Sequence, residues 1–189
     1  MARNVKGVLF VDYVRMLRAH RDESWVQYLE PGDLVFLEQH IDPDGWYPME
    51  VFERMGVAIL KTVAGEDLEM VRRWGRLTAA SVAGTVEGIV VPGDPRESLM
   101  RFQVYRRSFF DFDTLRVLQI DDGLADLEVA YGMSPLAEEA ASFQTMGFFE
   151  GFIELADGTE IEGSFLERSW AGDPRTVLRL VWEKPPAQG

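Results

Sequence analysis

Few residues in this chain have the types and spacing that metal or nucleophilic chemistry requires. The sequence contains two histidines, His20 and His40, and no cysteine. Metal sites usually draw on clustered His, Cys or carboxylate ligands, and neither histidine belongs to an HExxH-type or related motif. We therefore interpret both histidines as structural and predict no metal site.

The carboxylates and glycines give no clearer sign of catalysis. Adjacent acids such as Asp121 and Asp122 are typical of solvated turns, whereas a general acid needs burial or a close partner to shift its pKa. Gly84 and Gly88 lie four residues apart, but the lysine and hydroxyl residue of a phosphate loop do not accompany them. We predict no catalytic residue and no enzyme activity.

A basic and aromatic stretch stands out because the protein is acidic. Residues 101–110 read RFQVYRRSFF and fall in a predicted helix from Arg96 to Phe110. Its arginines favour ion pairs with the chain's many carboxylates. Alternatively they form a site for an anion or an acidic partner, since guanidinium groups bind carboxylate and phosphate well. Trp46 and Tyr47, beside a proline, either fill the core or form a contact patch.

A central helix from Leu136 to Asp157 organises the elements that would position these residues. Its apolar residues recur at three- and four-residue spacings, which is typical of a helix with a wide apolar face. Gly147 and Gly151 leave a smooth groove where another backbone can approach closely. Either another element of the same chain packs there, or the groove is a homodimer seam or a pocket wall.

Two predicted hairpins flank this helix, and helices are predicted before them. One earlier helix has apolar residues from Leu68 through Leu77 to Ala80, and Ile89–Val91 is compatible with a short strand. The predicted strands are Leu115–Asp121 and Leu124–Tyr131 before the central helix, then Thr159–Arg168 and Thr176–Trp182 after it.

This order predicts an α+β fold, in which an N-terminal helical part is followed by a four-stranded antiparallel sheet (β-β-α-β-β) packed on helices. We expect a single domain over residues 1–184, mainly helical over 1–110 and sheet plus central helix over 111–184. A flexible tail over 185–189 follows.

Composition and charge narrow the function classes. The chain has 189 residues, 47% of them hydrophobic, and a formal charge of −13. That charge argues against binding to nucleic acid or anionic membranes. The apolar run near the N-terminus is interrupted by charges and predicts neither a signal peptide nor a membrane span, so we expect a cytoplasmic protein.

Several short motifs resemble known families. Lys6–Phe10, Trp25 and Trp46–Pro48 resemble the opening of haem-based nitric-oxide/oxygen-binding domains. The half from Phe109 to Trp182 is similar to the 4-vinyl-reductase group, whose fold is shared with vesicle-tethering subunits of the TRAPP type. Together these features resemble a paralogous family of myxobacterial proteins without an assigned activity. The resemblance implies an α+β sensory or adaptor domain with a pocket between helices and sheet.

The resemblance does not predict that this chain binds haem. In the haem domains a histidine in the middle of the chain ligates the iron, and a Tyr-x-Ser-x-Arg motif holds the propionates. This sequence has no histidine after His40, and no stretch of it matches that motif; Tyr105 to Ser108 has the wrong residue order. We predict no cofactor.

Two functions remain from the sequence. The first is a non-enzymatic interaction or signalling module that recognises a protein partner, with a possible homodimer. Its candidate contacts are Trp46, Tyr47, Arg106, Arg107, Gly147, Phe148 and Gly151. The alternative is a small-molecule sensor that binds an apolar ligand between helices and sheet. Its candidate pocket residues are Phe102, Tyr105, Phe143, Met146 and Phe149.

Overall fold

The computed structural model describes residues 3–20 and 25–184, and the expected tail, 185–189, lies outside the described residues. Contacts between Cα atoms divide the chain into two compact units. The first comprises Met1–Leu68 with Arg107–Asp113, and the second comprises Glu69–Arg106 with Thr114–Gly189. The expectation of a single domain stays a prediction.

Aromatic side chains fill the core of the first unit. Tyr47 stacks on Phe10 with ring centroids 4.6 Å apart, and Tyr13 stacks on Phe52 at 4.2 Å. Such ring pairs add to the free energy gained by burying apolar area. The elements of this unit, in chain order, are β1 (Asn4–Lys6), α1 (Gly7–Ala19), a 3-10 helix (Trp25–Tyr28), α2 (Val35–Glu38), β2 (Trp46–Pro48) and α3 (Met49–Thr62).

A buried carboxylate also fixes this unit. The guanidinium of Arg54 donates to both oxygens of Asp33, at 2.7 and 2.8 Å, and the backbone amide of Glu30 donates to Asp33 at 2.9 Å. Burial raises the pKa of Asp33, but these donated bonds outweigh that effect and lower the pKa below its ordinary value.

The second unit contains three long helices and the predicted sheet. Its elements are α4 (Leu68–Ala83), α5 (Pro95–Tyr105), β3 (Leu115–Asp121), β4 (Leu124–Val129), α6 (Pro135–Leu155), β5 (Thr159–Glu167), a 3-10 helix (Ser169–Ala171) and β6 (Thr176–Glu183). The strands are antiparallel in the order β3-β4-β6-β5. The α+β fold class and the β-β-α-β-β order are therefore confirmed.

The two faces of the sheet differ as the period-two pattern requires. Leu127 and Leu178 are register partners on the face that α6 covers, and both are buried. On the opposite face, Arg179 donates two hydrogen bonds to Asp126, at 2.8 and 2.7 Å. The sheet therefore packs on α6 with one face and presents paired charges on the other.

Two local predictions were wrong. The helix expected to reach Phe110 ends at Tyr105, because a 3-10 turn follows and Phe110 forms an isolated bridge with Val5. Ile89 and Val90 form bends and Val91 is irregular, so the segment is not a strand. Ile89 is nevertheless buried, which explains its apolar character without strand pairing. None of the helices in the described ranges is long and apolar enough to cross a lipid bilayer.

Candidate functional site

Glycines bring α4 and α6 into backbone contact. A Cβ atom added to Gly147 would lie 1.8 Å from the carbonyl oxygen of Arg72, and one added to Gly151 would lie 2.5 Å from that of Arg76. On the facing helix, a Cβ added to Gly75 would lie 1.9 Å from the Gln144 carbonyl oxygen. Real Cβ contacts are essentially never shorter than 3.0 Å. This contact, which we call the glycine seam, therefore tolerates glycine only.

The glycine seam corrects one sequence interpretation. Gly147 and Gly151 are buried against the backbone of α4 in the same unit. The same-chain alternative for their groove is therefore the one that the structure favours. The structure thus places both candidate partner contacts inside the packing of α4 on α6, where there is no room for a second chain.

Ion pairs run along the glycine seam. Arg72 donates to both oxygens of Glu150, at 3.0 and 2.5 Å, and Glu150 is only 2% exposed. The hydrogen bond to Glu150 raises the pKa of Arg72 above its ordinary value. Further along, Arg76 donates to Glu154 at 3.0 Å, where both side chains are exposed. The buried pair holds α4 and α6 in register more strongly than the exposed one.

A buried carboxylate closes the N-terminal end of α6. The backbone amides of Tyr131 and Met133 each donate to one oxygen of Glu138, both at 2.9 Å. The hydroxyl of Tyr131 lies 2.6 Å from that of Thr145. Glu138 and Tyr131 are both buried, so these bonds satisfy polar groups that water does not reach. We call this set the Glu138 network.

The environment of Tyr131 perturbs its acidity. Burial raises the pKa of its phenol to about 12, the nearby Glu138 carboxylate adds to the rise, and the hydrogen bond with Thr145 opposes it. The ordinary value is 10.0. The neutral phenol is therefore the form that the folded chain stabilises.

The residues present do not fit a haem held in the way that the family resemblance implies. His20 lies at the end of α1 and His40 in an exposed loop, both in the first unit. The stretch Tyr131–Pro135 retains only the tyrosine of the Tyr-x-Ser-x-Arg motif, because methionine and proline replace serine and arginine. The loop amides there already bind an internal carboxylate, whose charge would repel an anionic propionate.

The five predicted pocket residues lie in different parts of the second unit. Phe102 and Phe149 do meet, with ring centroids 5.2 Å apart and edge-to-face. Phe143 instead packs near Phe165, with centroids 5.3 Å apart. The reason is helical geometry: residues 143 and 149 are six positions apart on α6, which rotates by about 100° per residue and so separates them by about 120°.

The other two pocket candidates also lie elsewhere. Met146 is buried beneath β5, where a Cβ on Gly163 would lie 2.6 Å from its side chain. Tyr105 is 41% exposed at the end of α5. Phe148, predicted as a partner contact, is half-buried in the ring cluster of Phe102 and Phe149, with centroids 5.2 and 5.3 Å away.

The remaining partner candidates divide between core and surface. Tyr47 belongs to the first unit's aromatic core, whereas Trp46 is 45% exposed and carries the ammonium of Lys6 at 4.9 Å from its ring. Arg106 is half-buried and donates to the carbonyl of Gln103. Arg107 is exposed and lies 3.4 Å from Asp113. Trp46 and Arg107 remain candidate contacts.

A groove opens where α4 and α6 end. It has a volume of about 470 Å³ and is lined by the last turn of α4, the loop after it and the last residue of α6. We call it the small-residue groove. Its uncharged lining residues include Ala80, Ala83, Gly84, Val86, Val90 and Leu155.

A second cleft, whose charged lining residues are mainly acidic, lies at the same end of α6. It has a volume of about 530 Å³ and begins at Glu154, the neighbour of Leu155. Asp157 and Glu160 line it, and Arg76 contributes a cation. Asp157 also accepts a hydrogen bond of 2.9 Å from the backbone amide of Gly93. In the described part of the chain, groups of three or more His, Cys or acidic side chains able to hold a metal ion are absent.

Sequence reasoning missed the Glu138 network and the small-residue groove. Tyr131 and its partly matching motif were a usable signal for the first. The groove had no such signal, because alanine, glycine and valine at helix ends are equally typical of packed contacts. Leu77 was expected on the packed side of α4, yet it is 76% exposed.

Comparison with solved structures identifies proteins of the same fold. An oxygen-binding H-NOX domain related to soluble guanylate cyclases, in its oxygen complex, superposes with a TM-score of 0.63 at 14% identity, covering 95% of this chain and 96% of that chain. A T. tengcongensis H-NOX mutant gives 0.63 at 15% identity, covering 95% and 98%. An S. oneidensis H-NOX protein in the Fe(II)NO ligation state gives 0.63 at 10% identity, covering 95% and 99%.

Sequence comparison adds no relative. No protein-family model and no curated protein matches the chain. The structural likeness at such low identity shows the fold alone. This chain has the H-NOX fold, which confirms the predicted resemblance to haem-based nitric-oxide/oxygen-binding domains at the level of structure.

Proposed function

We propose that this chain is a non-enzymatic signalling domain of the H-NOX fold that works through a protein partner and without haem. The Glu138 network is the observation that carries the proposal. It occupies two backbone amides before α6 with the chain's own carboxylate. The stretch Tyr131–Pro135 there shares only its tyrosine with the Tyr-x-Ser-x-Arg motif that the family resemblance implies for holding haem propionates.

The network supports this function through its charge and its completeness. The amides of Tyr131 and Met133 are both occupied by Glu138. Displacing a buried carboxylate from two amides leaves polar groups without partners, at a cost of about 1–3 kcal/mol for each group. An anionic ligand at this place therefore competes with an internal group that is already bound.

The partner, the cytoplasmic location and a possible homodimer belong to the proposal. Trp46 in the first unit supports a contact surface because it is a large aromatic residue that is 45% exposed. In the second unit, Val104 and Met100 lie one turn apart on the exposed side of α5. Exposed apolar residues of this size are typical of protein contacts when they lie together.

The small-molecule sensor has weaker support. Its five candidate residues are distributed among the ring cluster, the underside of β5 and the surface. A sensor site would need an enclosed apolar cavity with a few polar groups directed into it. Phe102 and Phe149 instead pack directly on each other.

Native mass spectrometry of the purified chain separates the two functions. We expect the mass of one chain, or of two chains if the homodimer forms, and no additional mass. A bound mass that disappears on denaturation contradicts the interaction module, supports the sensor and identifies the ligand class. Denatured protein measured in parallel is the control for covalent modification.

A further inference from the structure

We propose that the small-residue groove is a docking surface for a basic amphipathic helix of a partner protein. The inference rests on the proposed function, since it supplies the kind of partner on which such a signalling domain acts. It concerns a part of α4 and α6 that the glycine seam does not cover.

The shape of the groove suits a large apolar side chain. Ala80, Ala83 and Gly84 leave a volume of about 470 Å³ because they have little or no side chain. Leu155 borders the groove and is 40% exposed, and Leu77 projects one turn before Ala80 on the same face of α4. A helix whose apolar residues recur every three or four positions places anchors at this spacing.

The charges around the groove select a basic partner. Glu87 lines the groove itself, and Glu154, Asp157 and Glu160 line the acidic cleft at the same end of α6. Two nearby cations are already paired: Arg76 of the cleft lining with Glu154, and Arg101, which donates to the carbonyl of the lining residue Gly88, with Glu97. The formal charge of the whole chain is −13, so a cationic segment is attracted from a distance as well as at contact.

The ends of the two helices strengthen this preference. α4 ends at Ala83 and α6 at Leu155, and both residues line the groove. Within these two helices, which are described over their full length, the last turn contains no basic residue. The partial negative charge of each helix C-terminus is therefore left for the lysine or arginine of a partner.

The same charges disfavour a second copy of this chain as the occupant. Two chains of charge −13 repel each other, and each would present acidic residues to the other's groove. A different protein with a Lys- or Arg-rich amphipathic helix has the matching charge.

A display selection tests the proposal with a defined probe. Random helix-forming peptides of about 16 residues, or roughly four turns, are selected against the immobilised full chain. We expect the enriched peptides to carry a net positive charge and at least one large apolar residue. Their binding is then measured by fluorescence anisotropy, and we expect it to weaken as NaCl rises from about 0.05 to 0.5 M.

Two matched variants locate the binding site. Ala80→Arg fills the groove with a bulky cation, and we expect it to raise the peptide Kd by roughly tenfold or more. Ala171→Arg makes the same change at another exposed alanine, in the 3-10 helix outside the groove, and we expect the Kd to stay within about twofold. Thermal melts of both variants confirm that each is folded before the peptides are compared.

Several results overturn the proposal. The proposal fails if the selection enriches no peptide or enriches acidic peptides. It also fails if Ala80→Arg and Ala171→Arg weaken peptide binding equally. A dimer that forms with rising concentration and is lost only in Ala80→Arg would assign the groove to a second copy instead. Native mass spectrometry reports separately on the proposed function, so a failure of the groove and a failure of the haem-free module are distinguishable.

Discussion

The two ends of α6 are built in opposite ways. At the N-terminal end, Glu138 binds the amides of Tyr131 and Met133, and Glu138 and Tyr131 are buried. At the C-terminal end, Leu155 is exposed and lines an open groove together with Glu87, and the last turn of α6 has no basic residue to offset the helix dipole. The N-terminal end is therefore closed by the chain's own hydrogen bonds, whereas the C-terminal end is open to a partner.

The difference shows that one helix can be closed at one end by internal hydrogen bonds and open at the other. The glycine seam holds the middle of α6 against α4, so either end can change without loss of the helix pair. At the closed end, the Glu138 carboxylate occupies two backbone amides. At the open end, the small residues Ala80, Ala83 and Gly84 line an open groove, whereas the small residues of the glycine seam are in backbone contact.

The largest expected effect distinguishes the closed seam from the open groove. Gly147→Ala places a methyl group 1.8 Å from the Arg72 carbonyl oxygen and forces the helices apart. We expect a loss of about 3–4 kcal/mol in the free energy of unfolding, measured by urea denaturation. Gly84→Ala is the control, because its Cβ would lie 3.4 Å from the nearest atom outside its neighbours, and we expect less than about 1 kcal/mol. Equal losses would show that the two regions are packed alike.

The next prediction compares the two ends directly. Glu138→Gln retains one acceptor oxygen but leaves one buried amide without its bond, so we expect a loss of about 1–3 kcal/mol in unfolding free energy. Glu154→Gln alters an exposed pair with Arg76, and we expect less than about 1 kcal/mol. Chemical denaturation of both variants measures the difference. A smaller loss at Glu138 than at Glu154 would contradict the closed-end interpretation.

Alkaline pH gives a third test of the closed end. The folded pKa of Tyr131, about 12, exceeds its ordinary value of 10.0. The stability that the neutral phenol contributes is therefore fully present below pH 10 and is lost as pH rises through 12. We expect Tyr131→Phe to cost about 1 kcal/mol at pH 7 and to reduce the loss of unfolding free energy between pH 10 and 12. If Tyr131→Phe loses as much unfolding free energy between pH 10 and 12 as the unaltered chain, groups other than Tyr131 cause that loss.

The smallest effect is expected at the open end. Leu77 is 76% exposed beside the groove, so Leu77→Gln removes little buried area. We expect the free energy of unfolding to change by less than about 0.5 kcal/mol, as measured by urea denaturation. A loss of unfolding free energy several times this size would mean that Leu77 is buried in solution. The C-terminal end of α6 would then be packed and not open.

Much of the fold could be predicted from local patterns. The four strands and the long central helix have strong periodicity and clear turn residues, and Pro135 begins α6 where proline is expected. The error in the helix ending at Tyr105 has a tertiary cause, because Phe110 pairs with Val5, a partner more than one hundred residues away. The local sequence around Phe110 cannot predict a contact with so distant a residue.

The candidate site could be predicted only in part, for physical reasons. The apolar positions of α4 predicted Leu77 on the packed side, but the backbone contact at Gly75 decides which face meets α6. Glu138, next to another glutamate, has the pattern of a solvated helix face, and only the folded loop places the amides of Tyr131 and Met133 against it. Burial of a carboxylate depends on three-dimensional neighbours that spacing does not reveal.

Haem titration tests most directly whether this chain works without haem. Haem is added stepwise to the purified protein, and the Soret region of the absorption spectrum is recorded after each addition. We predict no saturable band at one haem per chain, because the chain lacks a histidine after His40 and Glu138 occupies the loop amides. A saturable, equimolar Soret band that disappears on denaturation would contradict the central claim.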